Sequence, residues 1–228
     1  MVSLKKDKKG FTLVELLLAM AVFSFVLTLC LAVFIQINRL YYRGISISKS
    51  QETARNLVTE LTGRIQAGTV TRPSRPLPAI DFPDGTRHNQ AYFCIGDVVY
   101  YYKLGVRASD VPAAVASNPA QGGRHVLARW TAPNFCTTAE PPAVTDFRVG
   151  ARAVDLVDDN TGLYHFDVTS SQIELTIAYG NPNLIDPTSL AANHSTTGDS
   201  QDIRCNGGRD VTFCGISQLE TEVVTRTR

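Results

Sequence analysis

One carboxylate stands at the start of a long apolar segment, and its position raises the first question of chemistry. Between Lys9 and Arg39 the only charged residue is Glu15, and the 20 residues from Leu16 to Ile35 carry no charge. A carboxylate at the edge of hydrocarbon costs on the order of a few kcal/mol unless it has a partner or reaches the interface. We therefore expect the function of the chain to depend on how this carboxylate is satisfied.

The elements around Glu15 are a basic leader and a helix of membrane length. The sequence reads Lys5-Lys6-Asp7-Lys8-Lys9-Gly10 and then Phe11-Thr12-Leu13-Val14-Glu15 before the apolar run. About 20 apolar residues span a bilayer as a helix, so the run predicts a transmembrane helix over residues 11–35. The lysines are expected to stay on the cytoplasmic side and the rest of the chain to face away from it.

This combination resembles the class III signal of type IV prepilins and type II secretion pseudopilins. The resemblance implies that residues 1–10 are a leader peptide, that a prepilin peptidase cuts after Gly10, and that the same enzyme methylates the new amine of Phe11. It also implies a role in subunit assembly for Phe11 and Glu15, in which Glu15 neutralises the terminal ammonium of a neighbouring subunit.

Other signals share some of these features. An ordinary secretory signal also has a basic and an apolar region, but the apolar run here is longer and no convincing small-x-small site ends it. The residues before Cys30 fit a lipoprotein cleavage site poorly. An uncleaved signal anchor is the strongest alternative, and it would leave Glu15 unexplained.

Charge and cysteine usage agree with an exported domain. Without residues 1–10 the chain keeps 18 basic and 20 acidic residues, so there is no basic surplus and no direct nucleic-acid partner is predicted. Four cysteines outside the apolar helix indicate two disulfides in an oxidising compartment. Three pairings are possible. Cys94–Cys136 and Cys205–Cys214 are favoured, the second because it closes a short glycine-containing loop.

Beyond the apolar run the helical pattern continues. Ala54, Leu57, Val58, Leu61 and Ile65 recur at spacings of three and four, which predicts an amphipathic continuation over residues 36–68 that ends near Gly68. Residues 69–228 then form the exported domain. Its first part, residues 69–90, is rich in proline and predicts an extended, exposed loop.

Alternating and β-branched patterns predict an antiparallel sheet after this loop. Gly96-Asp97 separates two of the strands as a hairpin turn. Residues 105–123 and 181–208 are polar and predict surface loops or local disorder. The predicted strands are Ala91–Ile95, Val98–Leu104, Val126–Trp130, Asp146–Val149, Leu163–Val168 and Ile173–Tyr179.

Motifs for catalysis or metal binding are weak. The four histidines match no catalytic spacing, and His165 with Asp167 is interpreted as a surface pair. Residues 155–162 are rich in aspartate and could form a calcium loop, although an ordinary turn is favoured. Trp130 is assigned to core packing, with anchoring of a partner as the alternative. No enzyme activity, cofactor or metal site is predicted.

These observations predict an α+β fold in which one long N-terminal helix packs on an antiparallel sheet, an arrangement that also resembles pilins and, in its strand pattern, the PilW/PulJ-like minor subunits. The resemblance implies a minor pilin of a type IV pilus, with a type II secretion pseudopilin or a pilus-borne adhesin-type module as alternatives. The implied partners are other pilins, the prepilin peptidase, the inner-membrane assembly platform and, before assembly, the bacterial cytoplasmic membrane. The implied destination is an extracellular pilus or a periplasmic pseudopilus.

Overall fold

A computed structural model describes residues 12–137, 147–180, 182–186, 203–206 and 213–224. The chain divides into two compact units, and the second begins at Tyr42. Helix α1 (Leu13–Ala67) begins in the first unit and ends in the second. The two units are described separately below.

In the second unit, the last part of α1 buries one face. Six buried residues recur at spacings of three and four, so they share one side of the helix. They are Ser46, Ser50, Ala54, Leu57, Leu61 and Ile65. Helix α1 ends next to Gly68, as predicted, and the amide of Gly68 donates to the carbonyl of Arg64 at 2.8 Å.

The described residues of the second unit contain two antiparallel sheets. The first has five strands in the order β1-β2-β3-β5-β6 and the second has four in the order β4-β7-β8-β9. The first sheet comprises β1 (Val70–Asp81), β2 (Arg87–Ile95), β3 (Val98–Lys103), β5 (Leu127–Thr131) and β6 (Val154–Asp155). The second comprises β4 (Val106–Arg107), β7 (Thr161–Val168), β8 (Gln172–Gly180) and β9 (Cys214–Glu222).

The α+β architecture is therefore as predicted, and most of the predicted strands are confirmed with small shifts at their ends. The Gly96-Asp97 hairpin joins β2 to β3, with Ile95 opposite Val98. The strand predicted at residues 146–149 is wrong, because residues 147–150 form no strand and Phe147 instead packs into a buried aromatic cluster. Residue 146 lies outside the described residues.

The loop predicted for residues 69–90 is also wrong, since most of it forms β1 and the start of β2. Strand β1 lies at the edge of its sheet and pairs only with β2. An edge strand tolerates prolines because one row of its backbone groups needs no partner, and the register shifts at three places along the strand. Arg72 is buried, and its guanidinium carbon lies 5.9 Å from the centre of the Phe135 ring.

The two segments predicted as long loops have different outcomes. Residues 105–123 contain β4, α2 (Ala113–Ala116) and short 3-10 turns, so disorder was the wrong expectation for them. Most of residues 181–208 lie outside the described residues. Strand β9 was not predicted, because polar residues interrupt its alternation. Gly215 of β9 lies so close to the backbone of Ser46 in α1 that a side chain there would collide with it.

Apolar side chains cover both faces of the five-stranded sheet. The main core lies between α1 and the sheets and contains Leu57, Leu61, Phe93 and Leu175. On the opposite face of the five-stranded sheet, a second cluster surrounds the disulfide between Cys94 and Cys136, whose Cα atoms lie 5.8 Å apart.

The second disulfide links the segment at residues 203–206 to the four-stranded sheet. It joins Cys205 to Cys214, the first residue of β9, and packs in a small cluster with Ile185 and Ile203. Both pairings are the ones favoured from the sequence. By restricting the unfolded chain, each disulfide is expected to add about 2–4 kcal/mol to the free energy of unfolding.

Lys103 is a buried cation at the end of β3. Its side chain is 0 % exposed, and its Nζ donates to the carbonyl of Gly123. On the preceding position of the same face, the Tyr101 hydroxyl donates to Oε1 of Gln90 and lies 3.3 Å from the carbonyl oxygen of Gln121. Burial lowers the pKa of Lys103 to about 7, against a smaller opposing effect of the Asp155 carboxylate.

This burial predicts a rise in stability between about pH 7 and pH 9. In that interval an unfolded lysine keeps its proton while the folded Lys103 has largely lost it, so raising the pH favours the folded state by at most about 1.4 kcal/mol per pH unit. Denaturant unfolding of the full chain in non-ionic detergent should show this rise, and Lys103→Met should flatten it. Lys49→Met, at an exposed lysine paired with Glu52, should leave it unchanged. An equal slope in all three proteins would contradict the assignment.

Candidate functional site

The described part of the first unit begins with a capping arrangement around Glu15. The Glu15 carboxylate oxygen Oε2 accepts from the backbone amide of Thr12 at 3.0 Å and from its hydroxyl at 2.9 Å. In return, the Thr12 hydroxyl oxygen accepts from the backbone amide of Glu15 at 3.3 Å. This reciprocal pattern is a capping box, with Thr12 as the N-cap of α1 and Glu15 three residues later.

The capping box gives Glu15 partners within its own chain. The carboxylate also lies at the positive end of the helix dipole, which favours a negative charge. Thr12 was not singled out from the sequence, although Thr-x-x-Glu before an apolar run is the known signature of this motif. Among the described residues, Thr12 is the one that donates hydrogen bonds to this carboxylate.

Around and after Glu15, the helix exposes a long apolar surface. Large apolar side chains between Leu13 and Tyr41 are each about half or more exposed, for example Leu18 at 67 % and Phe34 at 62 %. By length and composition this helix could cross a membrane, with a mean hydropathy of 2.7 over 18 residues. A signal sequence or the buried core helix of a soluble protein would pass the same test, but none of this window is buried in the described structure.

The two hydroxyls within the apolar run are satisfied by the helix itself. Ser24 donates to the carbonyl of Met20 at 2.8 Å, and Thr28 donates to the carbonyl of Ser24 at 2.8 Å. Such bonds to the preceding turn remove the need for an external partner in an apolar environment. With these hydroxyls satisfied, Glu15 is the one charged residue between Lys9 and Arg39.

Two of the predicted assembly and processing residues, Gly10 and Phe11, lie outside the described residues. The structure thus describes Glu15 but not its distance from Phe11. A profile of the prokaryotic N-terminal methylation motif matches residues 5–31, a stretch that includes Gly10, Phe11 and Glu15.

Residues 5–31 carry the prokaryotic N-terminal methylation motif. The motif is consistent with the type IV pilin and pseudopilin family, and the long helix on an antiparallel sheet domain with two disulfides is a pilin-like architecture. The match covers only the N-terminal segment and says nothing of residues 32–228. A search of curated proteins and a search of solved structures find no match to this chain.

The other candidate residues have structural partners. His165 does not form the surface pair expected with Asp167: it is buried, and its Nε2 lies 3.4 Å from Oε2 of Glu174 on the neighbouring strand. Strand pairing sets Thr176 opposite His165 and Glu174 opposite Asp167, so side chains of β8 lie beside the ring and cover it. Trp130 is half-buried and meets Phe147 edge-on, with ring centres 6.0 Å apart.

The carboxylates of the aspartate-rich turn each bond to a different protein group. Asp155 meets Nδ1 of His125 at 2.7 Å, and Asp159 accepts from Arg124 at 2.6 Å. Asp158 accepts from the amide of Asn160 and from the Thr161 hydroxyl, as in an ordinary turn. Within the described ranges, no group of three or more His, Cys, Asp or Glu side chains is arranged to hold a metal ion.

The capping box predicts that Thr12 holds the first turn of α1 in place. Loss of an N-cap costs about 0.5–2 kcal/mol, so Thr12→Val should speed hydrogen exchange of the Glu15 and Leu16 amides, which are bonded to Thr12, by a factor of about 2 to 30. Exchange measured by NMR on the full chain in detergent micelles checks this. Thr28→Val is the matched control, since its hydroxyl bonds within the helix interior. Unchanged exchange in Thr12→Val would show that the capping box is not maintained in solution.

Proposed function

We propose that this protein is a minor pilin, a structural subunit that joins a type IV pilus through its N-terminal helix. The observation that carries the proposal is the methylation motif at residues 5–31, with Glu15 as the single charge of an exposed apolar helix. An exposed apolar helix needs a lipid or protein environment to cover it. A single carboxylate at its start offers one specific attachment point within that environment.

Assembly begins in the membrane. The precursor is anchored in the cytoplasmic membrane by the apolar helix, with Lys5–Lys9 on the cytoplasmic side. The prepilin peptidase hydrolyses the peptide bond between Gly10 and Phe11, which creates a terminal amine on Phe11 that the enzyme then methylates. This amine remains a cation at neutral pH, and it lies four residues before Glu15 in the chain.

The helix then exchanges lipid for the apolar helices of neighbouring subunits. During this exchange, Glu15 gives up its two donors from Thr12 and accepts the ammonium of Phe11 from an adjacent subunit. In a medium of low dielectric an unpaired charge is costly, whereas a matched pair of opposite charges is tolerated. The pair therefore sets the axial register of one subunit against the next.

The domain beyond Tyr42 stays outside the membrane in this proposal. Its two disulfides, Cys94–Cys136 and Cys205–Cys214, suit an oxidising compartment. The domain division proposed is a leader at residues 1–10, a membrane or filament-core helix at residues 11–35, its amphipathic continuation at residues 36–68, and the exported domain at residues 69–228. The partners are other pilins, the peptidase and the inner-membrane assembly platform.

The same helix and carboxylate would serve a type II secretion pseudopilin. Deletion of the gene distinguishes the two machines. Loss of surface pili with normal secretion would favour the pilus, whereas enzymes retained in the periplasm would favour the secretion system. An adhesin role would instead be seen as loss of attachment while filaments still form.

Processing at Gly10 gives the first prediction of this proposal. Intact mass and an N-terminal peptide map of protein from membrane and sheared-filament fractions should show a chain that begins at N-methylated Phe11. Gly10→Val should block the cleavage, because the proposed peptidase cuts after glycine. The full-length chain should then accumulate. A chain that still carries Met1–Gly10 in cells with an active peptidase would contradict the proposal.

Charge pairing by Glu15 gives the second prediction. Glu15→Gln leaves the terminal ammonium of a neighbouring subunit unpaired. Incorporation of the variant into filaments should therefore fall by at least about tenfold. A tenfold loss corresponds to about 1.4 kcal/mol, which is less than the cost of an unpaired buried ion. Quantitative immunoblots of sheared filaments against total protein measure this. Glu52→Gln, on the exposed part of the same helix, should incorporate normally. Both variants should melt like the wild type, and normal incorporation of Glu15→Gln would refute the role assigned to it.

A further inference from the structure

A cleft in the second unit combines three arginines with an apolar wall. It has a volume of about 460 Å³ and lies where the edge of the five-stranded sheet meets α1 and the turn at residues 150–152. The arginines are Arg64 of α1, Arg129 of β5 and Arg152 of the turn, and none of the described residues that line the cleft is acidic. Glu15 is not among the residues that line this cleft.

A single carboxylate near the cleft offsets part of this charge. Glu60 of α1 approaches Arg129 at 2.6 Å and Arg64 at 3.5 Å, and both guanidinium groups meet the same oxygen, Oε1. One carboxylate shared by two arginines leaves one positive charge in excess. Asp155 follows Val154 on β6, and because successive side chains of a strand point to opposite faces, it is not among the residues that line the cleft.

Arg152 supplies the second unmatched charge. Its side chain is exposed, and it has no ion-pair or hydrogen-bond partner among the residues that the structure describes. The turn that carries it is closed by a hydrogen bond from the amide of Ala153 to the carbonyl of Gly150 at 2.9 Å. The closed turn holds Arg152 at the edge of the cleft, facing a site that already has a positive excess.

Apart from Thr131, the other side chains of the wall are apolar. Val98, Val154 and the indole of Trp130 line it. Gly150 lies flat against the indole, where an added Cβ atom would come within 2.5 Å of Cδ1. The turn can therefore approach the ring only because residue 150 has no side chain. The site thus offers guanidinium groups for an anion next to apolar surface for the group that carries it.

We propose that this cleft binds a carboxylate attached to a small apolar group, with Arg152 as its main anchor and Trp130 as the wall against which the apolar part packs. Arginine forks match the two oxygens of a carboxylate. The carboxylate can belong to an acidic side chain of a neighbouring protein or to a free small molecule. Because these two sources share one chemistry, separate probes are needed to distinguish them.

Trp130 is the only tryptophan of the chain and lines the cleft, so a ligand that packs against it should change its fluorescence. The full chain in non-ionic detergent is titrated with acetyl-Leu-Glu-Leu-amide, with the matching glutamine peptide, with 3-methylbutanoate and with inorganic phosphate. We expect a saturable change with the glutamate peptide or with 3-methylbutanoate, and none with the glutamine peptide. Added salt should weaken the binding, since partly exposed charges are screened.

Arg152→Gln should weaken the binding at least about tenfold, because it removes the charge-assisted hydrogen bonds of the main anchor. The matched control is Arg87→Gln, at an exposed arginine that pairs with Asp81 away from the cleft. Since Arg152 is exposed, both variants should fold and melt like the wild type.

Each outcome decides the proposal. A stronger response to the glutamate peptide assigns the site to a protein partner, and a stronger response to 3-methylbutanoate assigns it to a free carboxylate. Equal responses to the glutamate and glutamine peptides, binding of phosphate alone, or no saturable response to any probe would overturn the proposal. Equal binding by Arg152→Gln and Arg87→Gln would overturn the assignment of Arg152.

Discussion

An apolar helix with one carboxylate at its start is the constraint on which the rest of the chain depends. Its side chains are exposed along the whole described part of the first unit, and burying apolar surface is worth about 25 cal/mol per Å². Such a surface must be covered by lipid or by protein. The Thr12 capping box satisfies Glu15 locally, so the carboxylate can stand at the membrane surface before any other partner arrives.

The described apolar clusters of the second unit contain residues of that unit alone. The end of α1 buries its own apolar face against the sheets through Leu57, Leu61 and Ile65. Aromatic side chains then fill the opposite face of the five-stranded sheet around the Cys94–Cys136 disulfide. The core against α1 and the cluster around the Cys94–Cys136 disulfide thus cover both faces of the five-stranded sheet. This arrangement agrees with the proposed role, in which the apolar helix exchanges lipid for the helices of neighbouring subunits.

Charged groups in this domain are placed where the fold controls their partners. Lys103 is fully buried, and its Nζ donates to the carbonyl of Gly123, which links that loop to the sheet. Arg129 and Arg64 share one carboxylate, Glu60, next to an arginine-lined cleft. In the first case the charge is enclosed and its pKa falls, whereas in the second an excess of charge is left for a ligand. Burial is what separates the two roles.

The sequence by itself determined the features that depend on local pattern. The apolar run, the isolated Glu15, the helix that ends at Gly68 and the strongly alternating strand at residues 173–179 can all be read from residue types and short spacings, because helix and strand periodicity are local properties. The methylation motif is likewise contained in one short segment.

Only the tertiary structure decided the features that depend on distant residues. The prolines of β1 indicate a loop when the sequence is read alone. The segment is nevertheless a strand, and its edge position accommodates the prolines because half of the backbone groups there need no partner. The arginine cleft joins residues 64, 129 and 152, and the burial of Lys103 and His165 follows from the elements packed over them. None of these features has a signal within a short window of sequence, because each is created when separate strands and turns are brought together.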